Sequence, residues 1–313
     1  MKDYAAPAWL PGGHLQTIWP SLYPPPPVPL ARERWETPDG DFVDVDFCGD
    51  EGAPRLAVLF HGLEGSSDSH YARALAGVLP SHGWRLAIVH FRGCSGEANR
   101  TARAYHSGDS EEVDWVLRHF KHGIFLIGVS LGGNAMLKWL GERGDAARAR
   151  VRRAAAISAP LDIMAAGSAL DRGLNRALYT RHFLATLTPK ALRKLDAFPG
   201  LYDADAVRAA RTFRAFDGLV TAPLHGFRDT DDYWTRASSA PWLKSIRVPT
   251  LLLNARNDPF LPERDLLAAA REASAGVVLE FPRTGGHAGF LTGPFPGQHQ
   301  WMPQRLLQFF REQ

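Results

Sequence analysis

Four short apolar runs without alternation punctuate the first half of the chain, at residues 56–60, 86–89, 124–127 and 154–157. Strands buried on both faces of a parallel sheet read this way. Between the runs the period becomes helical, first at Tyr71, Leu75, Val78 and Leu79, then at Val113, Val116, Leu117 and Phe120. The second helix has a start signal in Asp109, with Glu112 three residues on. The alternation lapses after Pro160 and resumes with a strand at 249–253, a helix near 263–272, a strand at 277–281 and a last helix ending at 306–310. This order predicts an α/β fold, a mostly parallel sheet flanked by helices. The core spans 31–160 and 246–313, and 161–245 reads as a helical cap insertion. Upstream, 32–37 and 42–47 flank Pro38-Asp39-Gly40, a hairpin signal. Residues 1–30 are rich in Pro and aromatics and end in a polyproline stretch, so an extended segment is expected there.

In a parallel α/β sheet, ligands collect at the carboxyl ends of the strands. The residues that follow each predicted strand therefore carry the chemistry. Ser130 follows the third run inside Gly128-Val129-Ser130-Leu131-Gly132, just before a helical pattern. That is the nucleophile-elbow spacing, in which a sharp turn exposes the serine hydroxyl. Asn257-Asp258-Pro259 follows the strand at 249–253, and Gly285-Gly286-His287 follows the last strand. Nucleophile, acid and imidazole occur in the order Ser, Asp, His expected of an α/β-hydrolase triad. Ser130 would attack an acyl carbonyl, His287 would relay its proton, and Asp258 would orient the imidazole. The backbone N–H groups of Leu131 and Leu63 are the candidate oxyanion donors. His61 and Gly62, in the loop with Leu63, are candidate substrate-binding residues.

Composition narrows the field. With 313 residues, a net charge of +3 and no concentrated basic patch, the chain gives no sign of a nucleic-acid partner. Cys48 and Cys94 provide neither a disulfide framework nor metal spacing, and no cofactor or metal is implied. No signal peptide, membrane span or integral anchor is read, so a cytoplasmic protein with a small-molecule or lipid-like ester substrate is expected. Asp229, Asp231 and Asp232 read as helix-capping or loop residues, and Cys94 as a buried spectator. His119 and His122 read as solvated. Trp9, Trp19, Trp234 and Trp242 line an acyl pocket or belong to the core. An acyltransferase using the same triad, or a binding protein on the same fold, are the alternative functions.

Several longer motifs resemble the YheT-like α/β-hydrolases. They are Trp9-Leu10-Pro11-Gly12-Gly13-His14-Leu15-Gln16-Thr17-Ile18, His61-Gly62-Leu63-Glu64-Gly65-Ser66 and Phe91-Arg92-Gly93-Cys94-Ser95-Gly96. Tyr105-His106-Ser107-Gly108, Thr221-Ala222-Pro223-Leu224-His225-Gly226-Phe227, Asp231-Asp232-Tyr233 and Asn257-Asp258-Pro259-Phe260 continue the resemblance. It implies a serine esterase or lipase-type acyl hydrolase with the triad assigned above. Related eukaryotic members act on phospholipids or on medium-chain fatty acyl esters, some from an N-terminal membrane anchor. The resemblance assigns no role to His14, His106 or His225.

Overall fold

The computed structural model describes residues 4–312. Its eight strands are β1 (Ala31–Glu36), β2 (Phe42–Cys48), β3 (Arg55–Phe60), β4 (Trp84–Val89), β5 (Ile124–Val129), β6 (Val151–Ile157), β7 (Thr250–Leu253) and β8 (Val277–Glu280). They form one sheet in the order β1-β2-β4-β3-β5-β6-β7-β8. β1, β2 and β4 pair antiparallel, and every pairing from β4 to β8 is parallel. β5, which leads into Ser130, is buried along its whole length.

The helices used below are α1 (Gly13–Leu22), α2 (His70–Val78), α3 (Ser110–Leu117), α4 (Leu131–Arg143), α5 (Ile163–Leu170), α6 (Arg181–Ala197), α7 (Thr230–Ala237), α8 (Glu263–Ala270) and α9 (Trp301–Arg311). Successive strand residues face opposite sides of the sheet. Leu126 joins α3 and α4 residues such as Val116 and Met136 in one core. Its neighbour Ile127 joins Leu75 of α2 and Leu306 of α9 in the other. α3 starts as its sequence predicts, with Asp109 accepting from the Glu112 N–H at 3.3 Å.

The segment between β6 and β7 is helical and holds two apolar clusters of its own, around Trp234 and around Val207. The N-terminal stretch differs from expectation. Instead of running extended throughout, it folds into α1 between the prolines at 11 and 24. Pro20 lies inside this helix without ending it. Tertiary contacts outweigh the local break: Gln16, Thr17 and Pro20 are buried, and Gln16 and Thr17 bond to the loops that follow β7 and β8.

Candidate active site

The turn out of β5 places Ser130 at φ 52°, ψ −121°, an energetically unfavourable conformation for a non-glycine residue. Close packing enforces it. A Cβ on Gly132 would lie 2.4 Å from the carbonyl oxygens of Phe60 and His61, so only glycine lets α4 start against β3. The Ser130 N–H donates to the Ile157 carbonyl at 2.9 Å, pinning the turn to β6.

The loops after β7 and β8 deliver an acid and an imidazole to this serine. The Ser130 Oγ and His287 Nε2 are 2.8 Å apart, and His287 Nδ1 lies 2.8 Å from Asp258 Oδ2. The Asp258 carboxylate is fully enclosed, and its Oδ1 accepts from the Phe260 N–H at 2.8 Å. The Phe260 ring stacks on the imidazole with centroids 4.1 Å apart. A carboxylate can only accept, so it fixes the donor at Nδ1 and leaves Nε2 to accept from the serine hydroxyl.

The loop after β3 faces the same hydroxyl. Gly62 N–H donates to Tyr71 Oη at 2.8 Å, Glu64 N–H to Tyr105 Oη at 2.9 Å and Gly65 N–H to the Gly62 carbonyl at 2.9 Å. Between them the Leu63 N–H has no acceptor among the described residues, and neither has the Leu131 N–H. Both residues line the cavity beside Ser130. His61 and Gly62 were expected to bind substrate but are not among the residues that line it. His61 is wholly buried behind the loop; its Nδ1 donates to the Gly62 carbonyl at 2.7 Å and its Nε2 accepts from the Phe91 N–H at 3.1 Å. Burial pushes its pKa down to about 3, consistent with one donating and one accepting nitrogen. Its place is to shape the Leu63 turn.

Ser130 and His287 line a cavity of about 490 Å³ between the sheet and the helical segment that joins β6 to β7. Ile163, Leu170, Phe183, Phe213 and Trp234 give its wall an apolar character. One end is polar: Lys190 of α6 pairs with Glu64 at 2.8 Å, and Lys194 donates to Asn99 Oδ1 and to the Thr101 and Arg103 carbonyls. The remaining candidates take structural places. Cys94 lines the cavity, but burial pushes its thiol up to about 12. Asp229 caps α7, accepting from the Asp232 N–H at 2.8 Å, and no metal-ligand cluster occurs among the described residues. His119 is exposed and stacks on Trp35, and His122 is exposed near the Ala149 carbonyl. Trp234 donates to Asp217 Oδ2 at 2.8 Å, whereas Trp9 and Trp19 pack around Phe295 and Trp242 is half-exposed. His14 meets Tyr179 Oη at 3.0 Å, and His225 reaches the Ala104 carbonyl at 2.8 Å. Each joins a residue of the helical segment between β6 and β7 to a residue outside it.

Gln16, Thr17 and Asn257 went unread in the sequence. Gln16 Oε1 accepts from Asn257 Nδ2 at 2.9 Å and from the Gly285 N–H at 2.8 Å, and its Nε2 donates to the Leu10 carbonyl. Thr17 Oγ1 accepts from the His287 N–H at 2.9 Å. Asn257 Oδ1 accepts from the Gly286 N–H at 3.1 Å. α1 thus ties together the loops of the acid and the imidazole. The signal available was an adjacent polar pair inside an otherwise uncharged, Pro-broken segment.

Comparison with known proteins agrees with this fold. Residues 57–294 match the family model for the alpha/beta hydrolase fold. The chain is 37% identical to YheT of Escherichia coli (strain K12), provisionally named an esterase, over 94% of this chain and 88% of that one. It is 29% identical to the human phospholipase ABHD3, over 98% of this chain and 78% of that one. Among solved structures, an esterase from Exiguobacterium antarcticum superposes with a TM-score of 0.59 at 18% identity, covering 90% of this chain and all of the other. Among the described residues no helix is long and apolar enough to cross a membrane. A parallel sheet with Ser130 at the strand-to-helix turn, matched over most of its length to these proteins, belongs to the α/β-hydrolase fold family and to its YheT-like members.

Proposed function

We propose that the chain is a serine carboxylic-ester hydrolase acting through an acyl-enzyme on Ser130. The observation that carries this reading is the unbroken chain from Ser130 Oγ to His287 to Asp258, two contacts of 2.8 Å, beneath an apolar cavity. Ser130 Oγ attacks the ester carbonyl carbon while its proton passes to His287 Nε2. The carbonyl oxygen becomes an oxyanion held by the Leu63 and Leu131 N–H groups, which have no acceptor of their own among the described residues. Asp258 stabilises the imidazolium. Collapse breaks the C–O bond, and the alcohol leaves with the proton from Nε2. Water then repeats the sequence on the acyl-enzyme, giving the acid and free Ser130.

In this reading 161–245 is a cap over the cleft, and the substrate is an ester with a short to medium acyl chain or a lipid-like one. A cavity of about 490 Å³ is within the range of about 300–1,000 Å³ usual for small-molecule sites. The test is a p-nitrophenyl ester series read by chain length, together with fluorophosphonate labelling, on the native protein and Ser130→Ala. The proposal expects turnover and labelling that both vanish in the variant. Labelling that persists in Ser130→Ala overturns it, as does a flat series at the level of that variant.

A further inference from the structure

Nine large hydrophobic side chains are exposed among the described residues, and six of them fall in three neighbouring segments. Leu15, Leu22 and Tyr23 belong to α1 and its end, Leu174 and Leu178 to the cap just before α6, and Phe295 to the loop after β8. Leu22, Leu174 and Phe295 are more than half exposed, at 64%, 57% and 66%.

Contacts join the three segments into one face. Residues at 15, 19 and 22 share one side of α1, opposite the buried Gln16, Thr17 and Pro20. On one flank, Trp19 stacks on Tyr23 with centroids 4.3 Å apart and packs at 5.5 Å from Phe295, which Trp9 also touches at 5.5 Å. Both indole N–H groups are turned inward, to the Gly293 and Pro296 carbonyls at 3.0 and 2.9 Å, so the rings offer no free donor. On the other flank His14 stacks on Tyr179, the residue after Leu178. Asn175 Nδ2 donates to the Pro259 carbonyl at 2.6 Å, so the cap part of the face borders the Asp258 loop.

The charge pattern is as distinctive as the exposure. No Asp, Glu, Lys or Arg occurs from Tyr4 to Leu30, nor from Thr284 to Gln304. The cap segment carries Arg172, Arg176 and Arg181, all exposed and none in an ion pair among the described residues. An apolar, aromatic-rich surface with unpaired arginines at its margin matches the requirements of an anionic bilayer interface. A contiguous exposed apolar patch of this kind marks an interaction site.

We propose that this face seats the protein on an anionic lipid surface, with Leu15, Leu22, Phe295, Leu174 and Leu178 entering the boundary between headgroups and acyl chains. Docked in this way, α1 lies between the lipid and the His287 loop, and the part of the face around Asn175 borders the Asp258 loop. Seating is independent of the chemistry at Ser130, so the Ser130→Ala protein serves for the test. Co-sedimentation is measured with phosphatidylcholine vesicles and with phosphatidylcholine vesicles containing phosphatidylglycerol. The expected result is binding to the anionic vesicles that weakens with salt, each arginine contributing roughly fivefold at low ionic strength. Leu22→Asp with Phe295→Asp lowers partitioning by on the order of tenfold or more. Arg172→Gln, Arg176→Gln and Arg181→Gln together remove the preference for anionic lipid. In the protein with Ser130 intact, the same two Asp substitutions leave p-nitrophenyl butyrate turnover in solution unchanged. No binding to either vesicle overturns the proposal. So does binding that ignores both sets of substitutions, or a vesicle-free dimer in light scattering that Leu22→Asp with Phe295→Asp dissociates.

Discussion

Replacing Thr17 with valine keeps the shape of the side chain but removes the acceptor of the His287 N–H, 2.9 Å away, and the hydroxyl's own donation to the Gly13 carbonyl. The amide left behind is part-buried, and an unsatisfied buried donor costs about 1–3 kcal/mol. The loop after β8 recovers some of that cost by moving, and any movement carries the imidazole away from Ser130. At about 1.4 kcal/mol per factor of ten, kcat/KM on a p-nitrophenyl ester falls between about fivefold and about 150-fold. Thr17 is not at the cavity wall, so the loss appears in kcat while KM changes little. Thr17→Ser restores the acceptor and returns kcat to within about threefold. A Thr17→Val protein with a lowered melting temperature but unaltered kcat would refute the reasoning, because α1 would then support the fold and not the imidazole.

Two further outcomes follow from buried groups. Burial pushes the imidazoles of His61, His70 and His106 down to about 3, about 4 and about 4. Unfolded, each titrates near 6.5, so between that pH and about 4 each takes up a proton only on unfolding, and its contribution to stability is lost as pH falls. Burial raises Glu112 and Asp217, which act in the opposite sense. His299 is likewise lowered and Asp171 likewise raised by burial, so the imidazoles still outnumber the carboxyls by one and stability falls as the pH is lowered from 7 to 5. Urea midpoints between pH 7 and 5 check this, and a flat or rising trend contradicts it. Cys94 sits beside the cleft with its thiol pushed up to about 12, so iodoacetamide at pH 7.5 should leave both the thiol and the turnover intact. Rapid alkylation in the native protein would show a thiolate that burial does not permit.

The sequence carried the sheet and the identity of its strand ends, because strands buried on both faces need unbroken apolar runs and parallel strands expose their carboxyl ends together. Ser130, Asp258 and His287 were legible for that reason: each follows such a run. What escaped notice depends on distant partners. α1 contains Pro20, and its helical state comes from Gln16 and Thr17 meeting residues more than 240 positions away. His61 sits at a strand end like the others, but nothing local tells a ring that faces the cleft from one that braces the loop behind it. The Glu64–Lys190 pair likewise joins the turn after β3 to α6, and no spacing signal in the sequence links the two.

The hydrogen bonds of Gln16 and Thr17 also set an order of events during synthesis. The serine turn and the sheet around β3 to β6 are complete once about half the chain has emerged, yet the imidazole and the residues that hold it come from opposite ends. Contacts of such long sequence separation form late. On the proposed triad, a nascent chain presents Ser130 without its base, and hydrolytic competence waits for the loop after β8 to close onto α1. Under the proposed chemistry, ester turnover becomes a readout of folding in which the segments around Thr17 and His287 report on each other.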